Sequence, residues 1–201
     1  MDIKELVQTQ REFYQTQYTK DVNHRIQTLK SIKTWILEHQ NRIIDALKKD
    51  LNKDAVESYM CEIGLVLSEL NYQLKHIKKW SKNKYVWTPL AQFYGTSFES
   101  YEPYGVTLVM SPWNYPFMLS VEPAIGAIAA GNTVIIKPSA YAPHVSHVIK
   151  QMIDESCNEK YVAVVEGGRA ENTELLEQRF DYIFFTGSVT VGQLVMEKAS
   201  R

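Results

Sequence analysis

From residue 106 onward, short and almost entirely apolar segments alternate with longer helical ones, and this alternation constrains the fold more than any other feature. The strand candidates are residues 106–110, 133–136, 161–165 and 182–185, and the helical stretches between them are 117–130, 144–156 and 172–178. Parallel strands that are covered on both faces are nearly continuous apolar runs. Strand–helix–strand repetition produces right-handed crossovers. The sequence therefore predicts an α/β fold with a doubly wound parallel sheet.

The chain before residue 85 has a helical pattern. A first apolar stripe, predicted to lie on one helix, consists of Ile26, Leu29, Ile32, Ile36, Ile43 and Leu47. Asp54 and Glu57 resemble a capping box that opens a third helix. Its apolar seam consists of Met60, Ile63, Leu67, Leu70, Leu74 and Ile77. We expect a helical segment over 1–84, an extended arm or hairpin over 85–104, and a dinucleotide-binding domain, incomplete, over 105–201.

Composition excludes several classes of function. The 201 residues are 45% hydrophobic and 22% charged with a net charge of −1, so nothing indicates nucleic-acid or anionic-membrane binding. No apolar run approaches a transmembrane span, and the N-terminus lacks a signal-peptide core. Cys61 and Cys157 form no Cys-x-x-Cys pair, and His144 and His147 lack a carboxylate partner, so we expect no metal site. A reducing, cytoplasmic setting fits this cysteine usage.

The segment Ser111-Pro112-Trp113-Asn114-Tyr115-Pro116 follows the first strand directly. Side chains at the carboxyl ends of strands in a wound sheet face the crevice where ligands bind. The carboxamide of Asn114 can donate an N–H to a developing oxyanion without adding charge. The alternative is that these prolines and Asn114 form only a rigid turn.

Later strand ends carry further candidates. The segment Thr186-Gly187-Ser188, with Gly192 following, precedes a helix starting near residue 190, whose N-terminus suits a pyrophosphate. The first strand-to-helix turn lacks Gly-x-Gly-x-x-Gly. Lys137 ends the second strand before Pro138 and can donate to ribose hydroxyls. The alternatives are a plain helix cap at Ser188 and a solvated lysine at residue 137.

Taken in order with the run from Gly126 to Asn132, these motifs resemble the aldehyde dehydrogenase superfamily, most closely its class three branch, which includes the fatty aldehyde dehydrogenases. The resemblance implies NAD as cofactor, with NADP possible. It implies that Lys137 contacts the adenine-side ribose, and that Gly187, Ser188 and Gly192 lie at the phosphates.

The same resemblance implies that Gly167 lies near the adenine, although a tight turn explains Gly167 equally well. It further implies that Pro112 and Trp113 shape the floor beneath the nicotinamide and that Asn114 is the oxyanion donor. Many relatives have Lys-Pro-Ser-Glu where this chain has Ala140, and that Glu binds the ribose diol. The NAD-over-NADP choice is therefore open.

The implied function is the N-terminal cofactor-binding portion of an NAD(P)-dependent aldehyde dehydrogenase, which oxidises aldehydes to carboxylic acids and forms a homodimer through the arm. In that family a Cys thiolate adds to the aldehyde and hydride passes to the nicotinamide. Because that Cys and the general-base Glu follow the segment matching 192–201, we expect the chain to be truncated, without the catalytic domain, and inactive alone. The alternative is a naturally short, non-catalytic module that binds a dinucleotide or a partner protein. The absence of a Tyr-x-x-x-Lys pair after Thr186 argues against a short-chain dehydrogenase.

Overall fold

The computed structural model describes residues 2–200 as a mixed α/β structure. In chain order, its α-helices are α1 Ile3–Gln15, α2 Val22–Glu38, α3 Gln40–Leu51, α4 Ala55–Ser58, α5 Gly64–Trp80, α6 Met118–Ala130, α7 Pro143–Ser156, α8 Arg169–Leu176 and α9 Val189–Ala199. Its strands are β1 Lys84–Val86, β2 Ser97–Glu99, β3 Val106–Met110, β4 Thr133–Lys137, β5 Val162–Val164 and β6 Tyr182–Phe185. None of the helices within 2–200 is long and apolar enough to cross a membrane.

The main sheet has the strand order β5-β4-β3-β6, and every pair in it is parallel. Met110 at the end of β3 pairs with Lys137 on one side and with Phe185 on the other. The carboxyl ends of these strands therefore form one edge. Strand order proceeds outward from β3 to β5 and then reverses to β6, which confirms the predicted doubly wound sheet.

Each face of the sheet is covered by a different group of helices. On β3, Val109 points into the larger core with α6, α7 and the outer helices α2, α3 and α5. Leu108 and Met110 point to the opposite face, where they meet Leu175 of α8 and Val195 of α9. Successive side chains along a strand point to opposite faces of the sheet, and both faces are covered by helices. These strands are therefore apolar at consecutive positions.

Helix α1 lies on this second face, away from the other N-terminal helices. Its residues Ile3, Leu6 and Val7 are buried in the same cluster as Leu108 and Met110. Gln10 is fully buried and donates to the carbonyl of Val134 on β4 at 3.1 Å. The first helix of the chain is thus part of the sheet's own packing.

Two predictions for the N-terminal helices require correction. The first apolar stripe lies on two helices, α2 and α3, because the backbone leaves the helical conformation at His39 (φ −120°, ψ 23°). The Asp54 cap is confirmed, since its Oδ1 accepts the Glu57 N–H at 2.8 Å. A π-helical turn over Tyr59–Ile63 then precedes α5 and shifts the helical phase. Met60, predicted in the seam, is therefore 66% exposed.

Helix α6 ends where Gly131-Asn132 predicts, with Gly131 in the left-handed region at φ 96°. The buried Arg25 of α2 lies against this turn and donates from Nη1 to the carbonyl of Ala129 at 3.3 Å. A Cβ added to Gly131 would lie 2.7 Å from the Arg25 guanidinium carbon. Gly131 is therefore required both by backbone conformation and by the close approach of Arg25.

Strands β1 and β2 form a separate antiparallel pair inside the segment predicted as an arm. Their register pairs Lys84 with Glu99 and Val86 with Ser97. Lys84 Nζ also lies 3.0 Å from Glu99 Oε2 across the pair.

Candidate active site

The carboxyl edge of the main sheet brings together the segments that follow its strands. The Ser111 N–H donates to the Lys137 carbonyl at 3.3 Å, and the Thr186 N–H donates to the Met110 carbonyl at 3.0 Å. The Asn114 loop, Lys137 and the Gly187-Ser188 turn thus follow three adjacent strands, and Gly167 follows the next strand, β5. The reversal of strand order between β3 and β6 makes this edge the expected ligand crevice.

Asn114 lies on the loop between β3 and α6 and is exposed. Within residues 2–200 its side-chain carboxamide forms no hydrogen bond, so its N–H groups are available to a ligand. Trp113 beside it is 54% exposed, and Pro112 is half-buried. A neutral, unpaired donor at a strand end has the chemistry that stabilises an oxyanion.

The backbone of this loop is held by a buried ion pair between Lys53 and Glu62, which the sequence did not indicate. Lys53 Nζ lies 2.6 Å from Glu62 Oε1 and donates to the main-chain carbonyl of Asn114 at 2.9 Å. Glu62 Oε2 accepts the N–H groups of Phe117 and Met118 at 2.8 and 3.1 Å. The carboxylate thus caps the N-terminus of α6, where free N–H groups and the helix dipole favour a negative charge.

Lys137 is not the solvated lysine that the alternative interpretation described, since it is only 3% exposed. Its Nζ donates to the carbonyls of Pro138 and Gly167 at 2.8 and 2.7 Å. Burial lowers the pKa of this ammonium, while the carboxylates of Glu171 and Glu166 act in the opposite direction. Because an ammonium has three N–H donors, one remains for a further acceptor.

Gly167 has a φ of 130°, and a Cβ there would collide with the side chain of Glu171. Glu171 Oε2 accepts the Gly168 N–H at 2.6 Å at the start of α8. Backbone hydrogen bonds from Glu171 itself and from Gly168 lower the pKa of this carboxyl group, as does the nearby Lys137. The tight turn therefore accounts for Gly167, and contact with a cofactor remains a prediction.

Ser188 is the N-cap of α9, and its Oγ accepts the Val191 N–H at 3.4 Å. A Cβ at Gly187 would lie 2.5 Å from the Phe185 ring, and one at Gly192 would lie 3.4 Å from it. The small residues thus let the turn pack on Phe185. The cap leaves other N–H groups in the first turn of this exposed helix end for an anion.

Neither cysteine reaches this edge as an activated thiolate. Cys157 follows α7 and packs against the core, and burial raises the pKa of its thiol to about 12. Cys61 lies half-buried in the π-helical turn. Both thiols therefore behave as small apolar side chains in the packing of the protein.

The histidines do have carboxylate partners, which corrects the sequence interpretation. His144 Nδ1 lies 2.6 Å from Asp50 Oδ1, and His147 Nδ1 lies 3.8 Å from Glu166 Oε1. Asp50 also accepts the Val145 N–H at 2.8 Å, so it serves as a cap for α7. In the described part of the chain, no group of three or more potential ligands could hold a metal ion.

Known proteins resemble this chain over its whole length. A family model described as the aldehyde dehydrogenase family matches residues 1–201. The chain is 47% identical to the 4,4'-diaponeurosporen-aldehyde dehydrogenase of Staphylococcus aureus, with coverage of 94% of this chain and 41% of that protein. It is 38% identical to aldehyde dehydrogenase family 3 member B3 of Mus musculus, with coverage of 98% and 41%. The chain thus spans about two fifths of the length of these curated relatives.

A solved structure described as the substrate-bound state of Staphylococcus aureus AldH superposes with a TM-score of 0.96 at 44% identity. It covers 100% of this chain, which in turn covers 44% of that structure. The family 3 relatives confirm the resemblance to the class three branch. By sequence and by structure, the chain belongs to the aldehyde dehydrogenase family.

Proposed function

We propose that this chain supplies the dinucleotide-binding and oxyanion-stabilising parts of an NAD(P)-dependent aldehyde dehydrogenase that oxidises aldehydes to carboxylic acids. The observation that carries the proposal is the unpaired carboxamide of Asn114. It lies at the carboxyl edge of a sheet whose neighbouring strand β6 leads into the helix N-terminus at Ser188. This edge offers both a hydrogen-bond donor that can stabilise a negative charge and a site for phosphate, and the combination fits this reaction.

The groups at this edge fit a dinucleotide. The N–H groups in the first turn of α9, with the hydroxyl of Ser188, would hold the pyrophosphate, and Gly187 and Gly192 keep that turn open. The remaining N–H of Lys137 would reach the ribose. When bound, the dinucleotide accepts a hydride from the substrate carbon.

The remaining assignments concern the two ends of the dinucleotide. Pro112 and Trp113 would form the floor at the nicotinamide end, and Gly167 would lie beside the adenine. We propose that residues 105–201 belong to this dinucleotide-binding domain, preceded by the helical segment 1–84 and the arm 85–104.

Asn114 would act on the substrate and not on the cofactor. As a nucleophile adds to the aldehyde carbon, negative charge grows on the carbonyl oxygen, and a donor already in place stabilises that charge without reorganisation. We further propose that the 201 residues do not oxidise aldehydes by themselves. The buried thiol of Cys157 supports this, because its raised pKa disfavours the nucleophilic thiolate.

The central test is Asn114→Ala in the complete gene product, assayed with NAD, NADP and a series of aldehydes. We expect kcat to fall by about 10²–10³, the usual cost of losing one oxyanion donor, with little change in the KM for the dinucleotide. Asn23→Ala, at an exposed position on α2, is the matched control. An unchanged kcat would mean that Asn114 is a turn residue. Dinucleotide binding by a complete product that never oxidises aldehydes would favour the non-catalytic module.

The arm supports homodimer formation. Its large exposed hydrophobic side chains are Tyr85, Val86, Trp87, Leu90, Phe93, Tyr94, Phe98, Tyr101 and Tyr104. An exposed apolar surface of this kind is typical of an interaction site. Light scattering on the complete product should give a dimer mass, and Trp87→Ser with Phe93→Ser should lower it toward the monomer.

The free cysteines support a reducing, cytoplasmic location.

A further inference from the structure

We propose that Lys53 and Glu62 are positioning residues that fix the Asn114 loop for catalysis. This inference rests on the proposed function, in which the Asn114 carboxamide stabilises the oxyanion. Both side chains are almost inaccessible to solvent, at 8% for Lys53 and 0% for Glu62. They come from the segment around α4, which is remote in sequence from the loop that they hold.

Glu62 fixes the far end of the loop. The N–H groups of Phe117 and Met118, which have no partner inside α6, both donate to Glu62 Oε2. The π-helical turn places Glu62 inward, whereas Met60 in the same turn faces solvent. Turns of this type occur often at functional sites. The start of α6 is thereby fixed relative to the preceding helices.

Lys53 fixes the residue that carries the donor. Its Nζ donates to the main-chain carbonyl of Asn114 at 2.9 Å and lies 4.1 Å from the centre of the Tyr115 ring. These contacts leave the Asn114 side chain unbound and fix the backbone from which it projects. A displacement of about 1 Å in a reacting group can cost about 10²-fold in rate. Precise backbone placement is therefore as necessary as the carboxamide itself.

The pattern of contacts distinguishes positioning from simple stabilisation. A buried ion pair is weak evidence for stability, because its desolvation offsets much of the attraction. Apart from the ion pair itself, the side-chain hydrogen bonds and the cation–π contact that the two residues make within the described chain fall on residues 114–118, between β3 and the first turn of α6. The pair therefore determines the conformation of one loop.

The kinetic test uses Lys53→Met and Glu62→Gln in the complete gene product. Each should lower kcat by about 10- to 10²-fold and leave the KM for the dinucleotide within about twofold. Lys150→Met is the matched control, since Lys150 forms an exposed pair with Asp154 on α7, and it should leave both constants unchanged. If kcat in the two test variants equals that of the control, the positioning role is wrong.

A double-mutant cycle separates positioning from a general loss of folded enzyme. If Lys53 acts through Asn114, Lys53→Met should change kcat by less than about twofold once Asn114 is already alanine. A loss of the same size in both backgrounds contradicts the inference. Lys53→Arg keeps a cation at this position and should recover most of the activity. Should Lys53→Met fail to fold by circular dichroism, Glu62→Gln provides the same cycle.

Hydrogen exchange tests the structural step without any catalysis. The Phe117 and Met118 amides should exchange at least about tenfold faster in Glu62→Gln than in the wild type, because the neutral amide is a weaker acceptor than the carboxylate. Exchange in Lys150→Met should match the wild type. Unchanged protection in Glu62→Gln would overturn the positioning role. An unchanged kcat in Asn114→Ala together with faster exchange in Glu62→Gln would instead refute the oxyanion role alone.

Discussion

Asp181 connects the start of β6 with the start of β3 and with Arg11 of α1, and its replacement offers the sharpest test of what holds the sheet together. Its Oδ2 accepts the Val106 N–H at 2.8 Å, and its own N–H donates to the Val106 carbonyl at 2.9 Å. The same carboxylate pairs with Arg11 Nη1 at 3.0 Å, with side-chain exposures of 26% for Arg11 and 22% for Asp181.

The cost of Asp181→Ala follows from these two contacts. Val106 is fully buried, so its N–H would lose its acceptor where water does not reach, at a cost of about 1–3 kcal/mol. The partly exposed pair with Arg11 adds about 1 kcal/mol or less. The free energy of unfolding should therefore fall by about 1–4 kcal/mol. Asp181→Asn keeps an oxygen for Val106 and should cost only about 1 kcal/mol.

Urea denaturation of the two variants measures this difference. Asp154→Ala removes the carboxylate of the exposed pair on α7 and should change the unfolding free energy by about 0.5 kcal/mol or less. If Asp181→Ala and Asp181→Asn are equally destabilised, the hydrogen bond to Val106 does not make the largest contribution to the loss of unfolding free energy. A change no larger than that of Asp154→Ala would refute the argument altogether.

The remaining predictions concern stability and cofactor choice. Burial lowers the pKa of His24, so the unfolded chain binds its proton first as the pH falls. The stability that this residue contributes should therefore decrease as the pH falls below about 6.5, and His24→Gln should flatten that pH dependence in urea titrations. Gly131→Ala should lower the unfolding free energy by at least about 1–2 kcal/mol, because residue 131 has a positive φ and the added methyl group would collide with Arg25. The control is Gly126→Ala, whose methyl group would meet open space inside α6 and which should be neutral or stabilising. Equal Tm values for the two variants would contradict this prediction. In the complete gene product, we expect NAD to be used and NADP tolerated, and Ala140→Glu to shift kcat/KM toward NAD; an unmoved ratio would mean that residue 140 does not face the ribose.

The main sheet was predictable because a parallel strand buried on both faces has a local signature. Two predicted strands, 106–110 and 182–185, match β3 and β6 to the residue. The predicted strands 133–136 and 161–165 differ from β4 and β5 by one residue at one end or at both ends, and the larger errors lie at helix ends, which depend on capping contacts. The predicted helix 172–178 begins earlier, at Arg169, because Glu171 accepts the Gly168 N–H and closes the first turn.

The helix break at His39 and the π-helical turn were not predictable in the same way. Apolar spacing continues through both, so the spacing does not mark where the backbone departs from the α-helix. The π-helical turn shifts the helical phase, and the sequence pattern therefore placed Met60 wrongly in the apolar seam.

The candidate site was predictable only where it follows the strand ends. Parallel topology alone brings Asn114, Lys137 and Ser188 to one edge. Lys53 and Glu62 carry no such pattern, since a charged residue in a helical region is usually solvated. Lys53 also contacts a loop that lies more than fifty residues later in the chain, at Asn114.

The placement of α1 has a consequence for how the chain acquires its structure during synthesis. Its Arg11 contacts Asp181, at a separation of 170 residues, and its Ile3, Leu6 and Val7 pack against Leu108. A ribosome adding about 5–20 residues per second needs roughly ten to thirty seconds to make the intervening chain. Until β3 and β4 have been synthesised, the apolar face of α1 has no sheet to pack against. Helix α1 is thus synthesised well before the strands that it covers, and until they form the nascent chain exposes an amphipathic helix with an unburied apolar face.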